Sequence, residues 1–107
     1  MENYKKTNSL KWETGKVKGF KGKGLIDLSK GGLKLVKVNP FATYPSHIHP
    51  DKTEYAYVLE GNPKMTIGET IYTGEKGDFF IFPKSTKHSI DNPHDKECTL
   101  LVGAIKD

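Results

Sequence analysis

The sequence contains no arginine: all 17 basic residues are lysines, and with 13 acidic residues they give a net charge of +4. Arginine is the side chain that most often reads guanine and phosphate through two hydrogen bonds at once, so its absence argues against a nucleic-acid partner. It also means that no arginine can clamp the carboxylate of a substrate. We therefore expect no nucleic-acid partner.

Cysteine and long apolar runs are also scarce. Cys98 is the single cysteine, which excludes an internal disulfide, and we expect an isolated buried thiol rather than a nucleophile. The start, MENYKKTNSL, lacks the apolar stretch of a secretory signal, and no run approaches the length of a transmembrane helix. These absences predict a cytoplasmic protein with no membrane partner.

Helix is poorly indicated throughout the 107 residues, whose length is that of a single domain, 1–107. Eleven Gly and six Pro recur at short intervals, and no long stretch keeps a 3.6-residue apolar period. Apolar runs between turn residues instead predict strands, including a hairpin across Gly68–Glu69; these runs are 33–39, 54–60, 64–68, 69–73, 78–82 and 99–105. Many short strands at regular spacing predict a sandwich or small barrel.

A basic, glycine-rich stretch, GKVKGFKGKG at 15–24, has two interpretations. The first is an anion-binding loop. However, the stretch lacks the Gly-Lys-Ser/Thr ending of a phosphate loop and the glycine spacing of a dinucleotide-binding fingerprint. The interpretation we favour is a solvated, flexible edge or loop.

The stretch PSHIHPDKTEYAYVLEG at 45–61 gathers two imidazoles and a carboxylate. His47 and His49 are two residues apart, so on a strand they point to the same face. If residues 50–53, which include Pro50, form a hairpin loop, Glu54 starts the returning strand beside His49 on that face. Two imidazoles and one carboxylate then converge on one point, as in sites for divalent metals that accept imidazole.

A fourth ligand is predicted at His88, which follows an apolar strand and a proline turn and begins a short strand of its own, HSI. His94 follows Asn92-Pro93 in a loop and is expected to be solvated. Three neutral imidazoles and one carboxylate would saturate tetrahedral zinc, which suits a structural site. Iron, manganese, nickel or cobalt, with five or six ligands, would keep one or two open positions for water, substrate or dioxygen.

These residues resemble the two motifs of the cupin superfamily, in its small single-domain form. The first motif, His-x-His, four residues, Glu, six residues and Gly, is matched by His47, His49, Glu54 and Gly61. The second, Gly, five residues, Pro, His five further on and Asn four later, is matched by Gly77, Pro83, His88 and Asn92. Two turn glycines of the pattern are replaced, by Phe41 and Ser85. Neither is a ligand, so the ligand set is complete.

The resemblance implies an all-β fold, the antiparallel jelly-roll β-barrel or double-stranded β-helix of the cupins. It also implies a divalent metal ion (iron, manganese, nickel, cobalt or zinc) held by His47, His49, Glu54 and His88. Cupins with this ligand set include dioxygenases, decarboxylases, isomerases and cyclases, and others bind metal or small ligands in regulatory roles. Fold does not choose among these activities.

Three functions remain open from the sequence. The first is a metal-dependent enzyme, dioxygenase-, isomerase- or lyase-like, in which Glu54 is a catalytic ligand that can release the ion to take a proton. The second is a metal-dependent sensing or small-molecule-binding module, and the third is a structural or storage protein. An enzyme would react at the metal, because the chain offers no nucleophile paired with a general base.

The remaining side chains near the motifs receive structural interpretations. We expect Tyr55 and Tyr57 to pack on the strand face opposite Glu54, and Phe80 and Phe82 to pack in the core, where one of them can line the cavity. Asn92 is interpreted as a turn residue and Tyr44 as a candidate for the cavity rim. Alternation along the strands points three apolar side chains inward, where we expect them to line the cavity: Ala56, Val58 and Ile90.

The chain is finally predicted to form a homodimer. A barrel this small has two sheet edges and a modest core. The segment around Trp12 is too apolar to hang free, so strands or this N-terminal segment are expected to cross between subunits.

Overall fold

The structure, a computed structural model, describes residues 2–107 and is almost entirely β. Its single helical element is a 3₁₀ turn at Thr7–Ser9, and none of the described residues forms a helix long and apolar enough to span a bilayer. Ten strands follow: β1 Glu13–Thr14, β2 Phe20–Leu28, β3 Gly31–Val38, β4 Thr43–His47, β5 Lys52–Glu60, β6 Lys64–Ile67, β7 Thr70–Thr73, β8 Phe79–Phe82, β9 His88–Asp91 and β10 Cys98–Lys106.

The strands form two antiparallel sheets. The large sheet has the order β1-β2-β3-β10-β5-β8 and the small sheet the order β4-β9-β6-β7. The C-terminal strand β10 lies between β3 and β5, so strands distant in sequence become neighbours in the large sheet. The predicted antiparallel jelly roll is confirmed, as are the 68–69 hairpin and the strand runs, whose ends shift by one or two residues.

The expectation of a flexible edge or loop at 15–24 is wrong for its second half. Strand β2 begins at Phe20 and pairs with β3 from Phe20↔Val38 to Leu28↔Gly31, with one bulge between Gly24 and Ile26. Alternation turns Phe20, Gly22 and Gly24 to the inner face of the sheet and the intervening lysines outward. Glycine has low strand propensity, so only the pairing with β3 reveals this strand.

The core between the two sheets is formed by the side chains on the inner faces of the central strands. Ala56 and Val58 on β5, Leu100 on β10 and Phe82 on β8 are at most 2% exposed. Burying a side chain the size of Val, Leu or Phe contributes about 1.5–3 kcal/mol, so these rows hold the two sheets together. Phe80 and Phe82 pack in this core as expected, and Tyr55 and Tyr57 lie on the opposite face of β5.

The outer face of the large sheet is apolar along its β10-β5-β8 side. The side chains on that face are aromatic or aliphatic, and Tyr57, Phe79, Ile81 and Ile105 are 41–55% exposed. With the half-buried Tyr55 and Leu101 they form one patch, because Tyr55 pairs with Ile81 and Tyr57 with both Phe79 and Leu101. We call these six residues the outer apolar face.

At the other side of the large sheet, the N-terminal segment packs on its own chain. The centroid of the Trp12 ring lies 4.6 Å from the ammonium group of Lys23 and 4.7 Å from that of Lys37. Lys23 also donates a hydrogen bond to the Thr7 carbonyl oxygen at 2.9 Å. Since Trp12 is covered within one chain, it gives no support to a segment that crosses between subunits.

The two turns in which the motif glycines are missing keep a left-handed conformation. Among residues 2–107, the only non-glycine residues with positive φ are Phe41, at 60°, and Ser85, at 65°. This conformation costs roughly 1–2 kcal/mol in a residue with a Cβ atom. The Ser85 turn is fastened by its N–H, which donates to the His49 carbonyl oxygen at 2.8 Å and so ties the two motifs together.

Replacing Ser85 by glycine should therefore stabilise the fold. Ser85→Gly should raise the free energy of unfolding by up to about 1 kcal/mol, because relief of the left-handed strain exceeds the extra entropy of the unfolded chain. The matched control is Ser29→Gly, an exposed turn serine without positive φ, which should lose stability. Urea unfolding of the three proteins measures the difference. Equal losses in both variants would contradict the strain at position 85.

Candidate metal centre

Two of the four predicted ligands stand side by side on the small sheet. His47 is the last residue of β4 and His88 the first of β9, and the two are directly paired across these antiparallel strands. Their ring centroids are 4.2 Å apart. His88 is 3% exposed and stacks on Phe82 of the large sheet, with centroids 4.6 Å apart, so its ring is held from both sheets.

The other two ligands reach this pair in a different way from the one expected. Strands β4 and β5 do not form a hairpin: β4 pairs with β9 in the small sheet, while β5 pairs with β10 and β8 in the large sheet. His49 lies in the connection that crosses between the sheets, and Lys52 already belongs to β5. Glu54 therefore faces the imidazoles across the sheet-to-sheet gap, not from a neighbouring strand.

One carboxylate oxygen holds the cluster together. Glu54 Oε1 lies 3.0 Å from His49 Nε2 and 3.2 Å from His88 Nε2. One donor atom from each of the four residues falls within 4.8 Å of the others. Atoms at about 2.0–2.2 Å from one ion are at most about 4.4 Å apart, so the cluster is within a few tenths of an ångström of coordinating size.

The backbone sets the orientation of two imidazoles. His47 Nδ1 donates to the Pro45 carbonyl oxygen at 2.8 Å, and His88 Nδ1 lies 3.3 Å from the Thr86 carbonyl oxygen. A carbonyl oxygen can only accept, so the proton of a neutral His47 ring is on Nδ1 and its lone pair is on Nε2. Such hydrogen bonds from the distal nitrogen are the usual support of metal-ligating histidines.

This donor set fits a cation. His88 lies between two acceptors, the Thr86 carbonyl oxygen at 3.3 Å and Glu54 Oε1 at 3.2 Å, and a neutral ring has one N–H, so one of the two contacts lacks a proton that a cation at that nitrogen can replace. Imidazole nitrogens and one carboxylate oxygen are the ligands that zinc, iron, nickel and related divalent ions share. The four predicted residues are thus brought together as a candidate metal site.

A cavity of about 470 Å³ opens from the cluster. Beyond the four candidate ligands, its apolar wall includes Phe20, Tyr44, Phe82, Ile90 and Leu100. Tyr44 lies at the cavity wall as proposed, edge-on to Phe20 with ring centroids 5.1 Å apart and 4.7 Å from the centroid of His47. The expectation for Ala56 and Val58 is wrong: both are fully buried behind the wall, and only Ile90 of the three lines the cavity.

Comparison with known proteins identifies the fold family. The profile of the cupin domain matches residues 34–103. The chain belongs to the cupin family. Among curated relatives, germin-like protein subfamily 2 member 3 of Arabidopsis thaliana is 33% identical over 84 residues, which are 72% of this chain and 33% of that protein. The chain thus spans about a third of the length of the curated relatives it matches.

Solved structures agree on the architecture. An RmlC-like cupin from Shewanella frigidimarina superposes with a TM-score of 0.88 at 19% identity, covering all of this chain and 93% of that one. A predicted oxalate decarboxylase from Thermotoga maritima superposes with a TM-score of 0.87 at 18% identity, covering 95% and 97% of the two chains. At these identities the likeness establishes the jelly-roll fold alone.

The remaining motif residues of this cupin are structural. Asn92 is 1% exposed, and its Nδ2 donates to the carbonyl oxygens of Val38, Asn39 and Lys96, while its Oδ1 accepts from the His94 N–H. It closes the turn after β9, as expected. His94 itself is exposed and outside the cluster, and Cys98 is fully buried, where burial raises the pKa of its thiol.

One motif glycine is required by a close approach. Gly61 has a φ of 92°, and a Cβ atom there would lie 2.6 Å from Cys98 Sγ. Only glycine allows the end of β5 to pass this close to β10.

Lys34 and Lys52 line the cavity, although the sequence pattern did not predict either of them as a site residue. Lys52 Nζ lies 4.0 Å from Glu54 Oε2. A signal for Lys52 was present, since it is two residues before Glu54 on one strand and so shares its face. Nothing in the sequence pointed to Lys34, because β3 meets the cavity only through its pairing with β10 and β2.

The charges in the cluster shift two of its titrating groups. Burial lowers the pKa of His49 below its ordinary value, and nearby Lys52, His47 and His88 lower it further, against the opposing effect of Glu54. Burial by itself would raise the pKa of Glu54. The hydrogen bond with His88 and the charges of His49 and Lys52 outweigh burial, so the pKa of Glu54 is lowered.

Acid should therefore destabilise the metal-free protein in two steps. Because the pKa of His49 is lower in the folded state, its contribution is present above about pH 6.5 and is lost as pH falls below it. The contribution of Glu54 is lost in the same direction below about pH 4.5. Urea unfolding with a chelator present, from about pH 8 to pH 4, measures both steps.

Matched variants assign the steps. His49→Gln should weaken the loss that begins below about pH 6.5, and Glu54→Gln should flatten the loss below about pH 4.5, whereas His94→Gln should change neither. Stability that rises on acidification would contradict the lowered pKa of both groups.

Proposed function

We propose that this cupin holds one divalent metal ion, whether iron, manganese, nickel, cobalt or zinc, through His47, His49, Glu54 and His88. The observation that supports the proposal is the convergence of three imidazoles and one carboxylate, which have one donor atom each within 4.8 Å of one another. When bound, the ion would supply Lewis-acid or redox chemistry at coordination positions that the four residues leave open.

We further propose that the protein is a metal-dependent enzyme, dioxygenase-, isomerase- or lyase-like, acting on a small oxygen-rich molecule in the cavity. The side chains of this chain bind and orient that molecule and limit water, since the wall next to the cluster consists largely of Phe82, Ile90 and Leu100. Glu54 is the proposed proton acceptor: Oε1 faces His49 and His88, and Oε2 lies on the Lys52 side.

A metal-dependent sensing or binding module is the second candidate. It is favoured by the scarcity of acid–base groups in the cavity wall around the four ligands, because such a wall can retain a ligand without transforming it. The location in the cytoplasm also stays a prediction.

Metal content tests the ligand assignment. Protein purified without added metal and then loaded should hold about one ion per chain. His49→Ala and Glu54→Gln should lower that content severalfold, because each removes one of four donors, while His94→Ala, a matched histidine outside the cluster, should leave it unchanged. Elemental analysis measures the content. Loss of the metal in His94→Ala together with retention in His88→Ala would show that the ligands are misassigned.

Turnover separates the two candidates. Diketones, enols and short acids should be screened with iron-, manganese-, nickel- and zinc-loaded protein, with and without oxygen. Conversion of one of them should stop on chelation and fall at least about a hundredfold in Glu54→Gln, the effect expected of a lost proton acceptor. The matched control is Glu69→Gln in the β6–β7 turn. Turnover that survives both changes would refute a metal-centred enzyme, and binding without turnover would favour the sensing module.

We propose, in addition, that two copies of the chain pair through the outer apolar face. Its four most exposed side chains leave on the order of 400 Å² of apolar surface in contact with water, as much as the largest patch on a typical monomer. A standard interface buries about 800 Å² per partner, which this face and its surroundings can supply. A second copy presents the same flat, uncharged patch, so a twofold pairing covers both at once.

Light scattering at micromolar concentration tests the pairing. Wild-type protein should have the mass of a dimer, and Ile81→Lys should have that of a monomer, because a charge at the centre of an apolar interface is left unpaired. Ile71→Lys, on β7 of the other sheet and 62% exposed against 53% for Ile81, is the matched control and should remain dimeric. A monomeric wild type would overturn the proposal.

A further inference from the structure

A second cavity adjoins the one at the candidate metal centre. It has a volume of about 410 Å³, and its wall shares Gly24, Lys34, Lys52, Glu54 and Val102 with the first. The two spaces therefore meet beside Glu54 and form a groove along the inner face of the large sheet. Most of this groove lies beyond the reach of a ligand that only occupies positions on an ion.

Two lysines stand where the cavities meet, on a sheet face that elsewhere carries the apolar core. Lys34 shares the inner row of β3 with the buried Val36 and Val38, and it pairs with Val102 of β10. Lys52 shares the inner row of β5 with Glu54 and Ala56, and its side chain is only 28% exposed. Both lysines line both cavities, and Lys52 Nζ lies 4.0 Å from Glu54 Oε2.

The charge of the groove favours an anion. Leaving out Lys21, whose side chain points outward from β2, four lysines line the two cavities against three carboxylates, so the walls are net positive before any ion is bound; the charged residues are Lys16, Lys34, Lys52 and Lys106 against Glu13, Asp27 and Glu54. A divalent ion would add two further positive charges. A cleft lined by one sign of charge concentrates ligands of the opposite sign.

The groove has room for the body of a ligand because β2 carries glycines on its inner face. A Cβ atom added at Gly24 would meet no atom within 4 Å, so open space lies above it. Gly24 lines both cavities, and its backbone has none of the positive φ that would require glycine. The absent side chain here leaves a passage and does not relieve strain.

We infer that the groove binds a small organic acid by both ends: one oxygen-rich end lies at the four metal ligands, and a second, anionic end is held by Lys34 and Lys52. The body of the acid lies over Gly24. This inference rests on the proposed metal site. Lys52 can take part because Glu54, its neighbour at 4.0 Å, shares its negative charge with the ion when the site is filled.

Paired probes of equal length test the two-ended binding. Calorimetry on manganese-loaded protein should compare glutarate, which has two carboxylates, with pentanoate, which has the same five carbons and one carboxylate. Glutarate should bind at least about tenfold tighter, and this preference should shrink between about 0.05 and 0.5 M salt as screening grows. A parallel arm with 4-phosphonobutyrate, which has the same backbone length, shows whether a carboxylate or a phosphoryl group is preferred at the lysine end.

Variants locate the second contact. Methionine keeps the length and apolar body of a lysine side chain but removes its charge, so Lys34→Met and Lys52→Met are tested singly and together. In the double variant, the affinity for glutarate should exceed that for pentanoate by less than about threefold. Lys34 is exposed, so its single variant remains informative if the double variant does not fold. The matched control, Lys87→Met, removes an exposed lysine outside both cavities and should leave the preference unchanged.

A filled groove gives an independent readout. Gly24→Leu should place a side chain in the open space and abolish glutarate binding while metal content stays at the wild-type level. Wild-type binding of glutarate by Gly24→Leu would overturn the groove as the binding site. Equal affinity for glutarate and pentanoate in metal-loaded protein would overturn the two-ended inference and leave the proposed function intact. A wild-type protein that holds no metal would overturn both the proposed function and this inference.

Discussion

The structure depends on one electrostatic constraint, the placement of a carboxylate against imidazole nitrogens across the gap between two sheets. Glu54 approaches from the large sheet, and His47 and His88 approach from the small one. Groups that are all electron-rich hold this arrangement only with a proton or a cation among them. The strand pairing, the carbonyl acceptors behind each ring and the Phe82 stack keep the donors in place whatever occupies the space.

The loops around the cluster contain turns with a left-handed backbone conformation, which is unfavourable in free energy for residues other than glycine. Ser85 takes a left-handed conformation, and its N–H reaches the carbonyl of His49, so the strained turn of one motif positions a ligand of the other. Phe41 takes the same conformation before β4, the strand that ends at His47. Phe41 and Ser85 thus keep the backbone conformation of the two turn glycines that they replace. Each of them carries a conformational strain of about 1–2 kcal/mol.

The absence of arginine takes on a second meaning beside the cavity. A guanidinium fork fits one carboxylate in one geometry, whereas an ammonium on a flexible stem acts as a point charge and tolerates several. The basic residues of the groove are all lysines, so the anionic end that it prefers is defined by charge and reach more than by shape. The apolar wall near the cluster and the open floor at Gly24 then set the size of the body that fits between the two ends.

The sequence by itself determined the all-β class, most strands and the four candidate ligands, because alternation, turn residues and the spacing of His47, His49, Glu54 and His88 are local patterns. It could not reveal β2, the crossing of His49 between sheets or the place of Lys34 at the cavity. Each of these depends on pairing between strands far apart in the chain, where β10 enters between β3 and β5 and turns their inner rows toward one space. Local periodicity predicts which face of its own strand a side chain lies on. Which residues or cavity that side chain contacts depends on how the strands assemble into sheets.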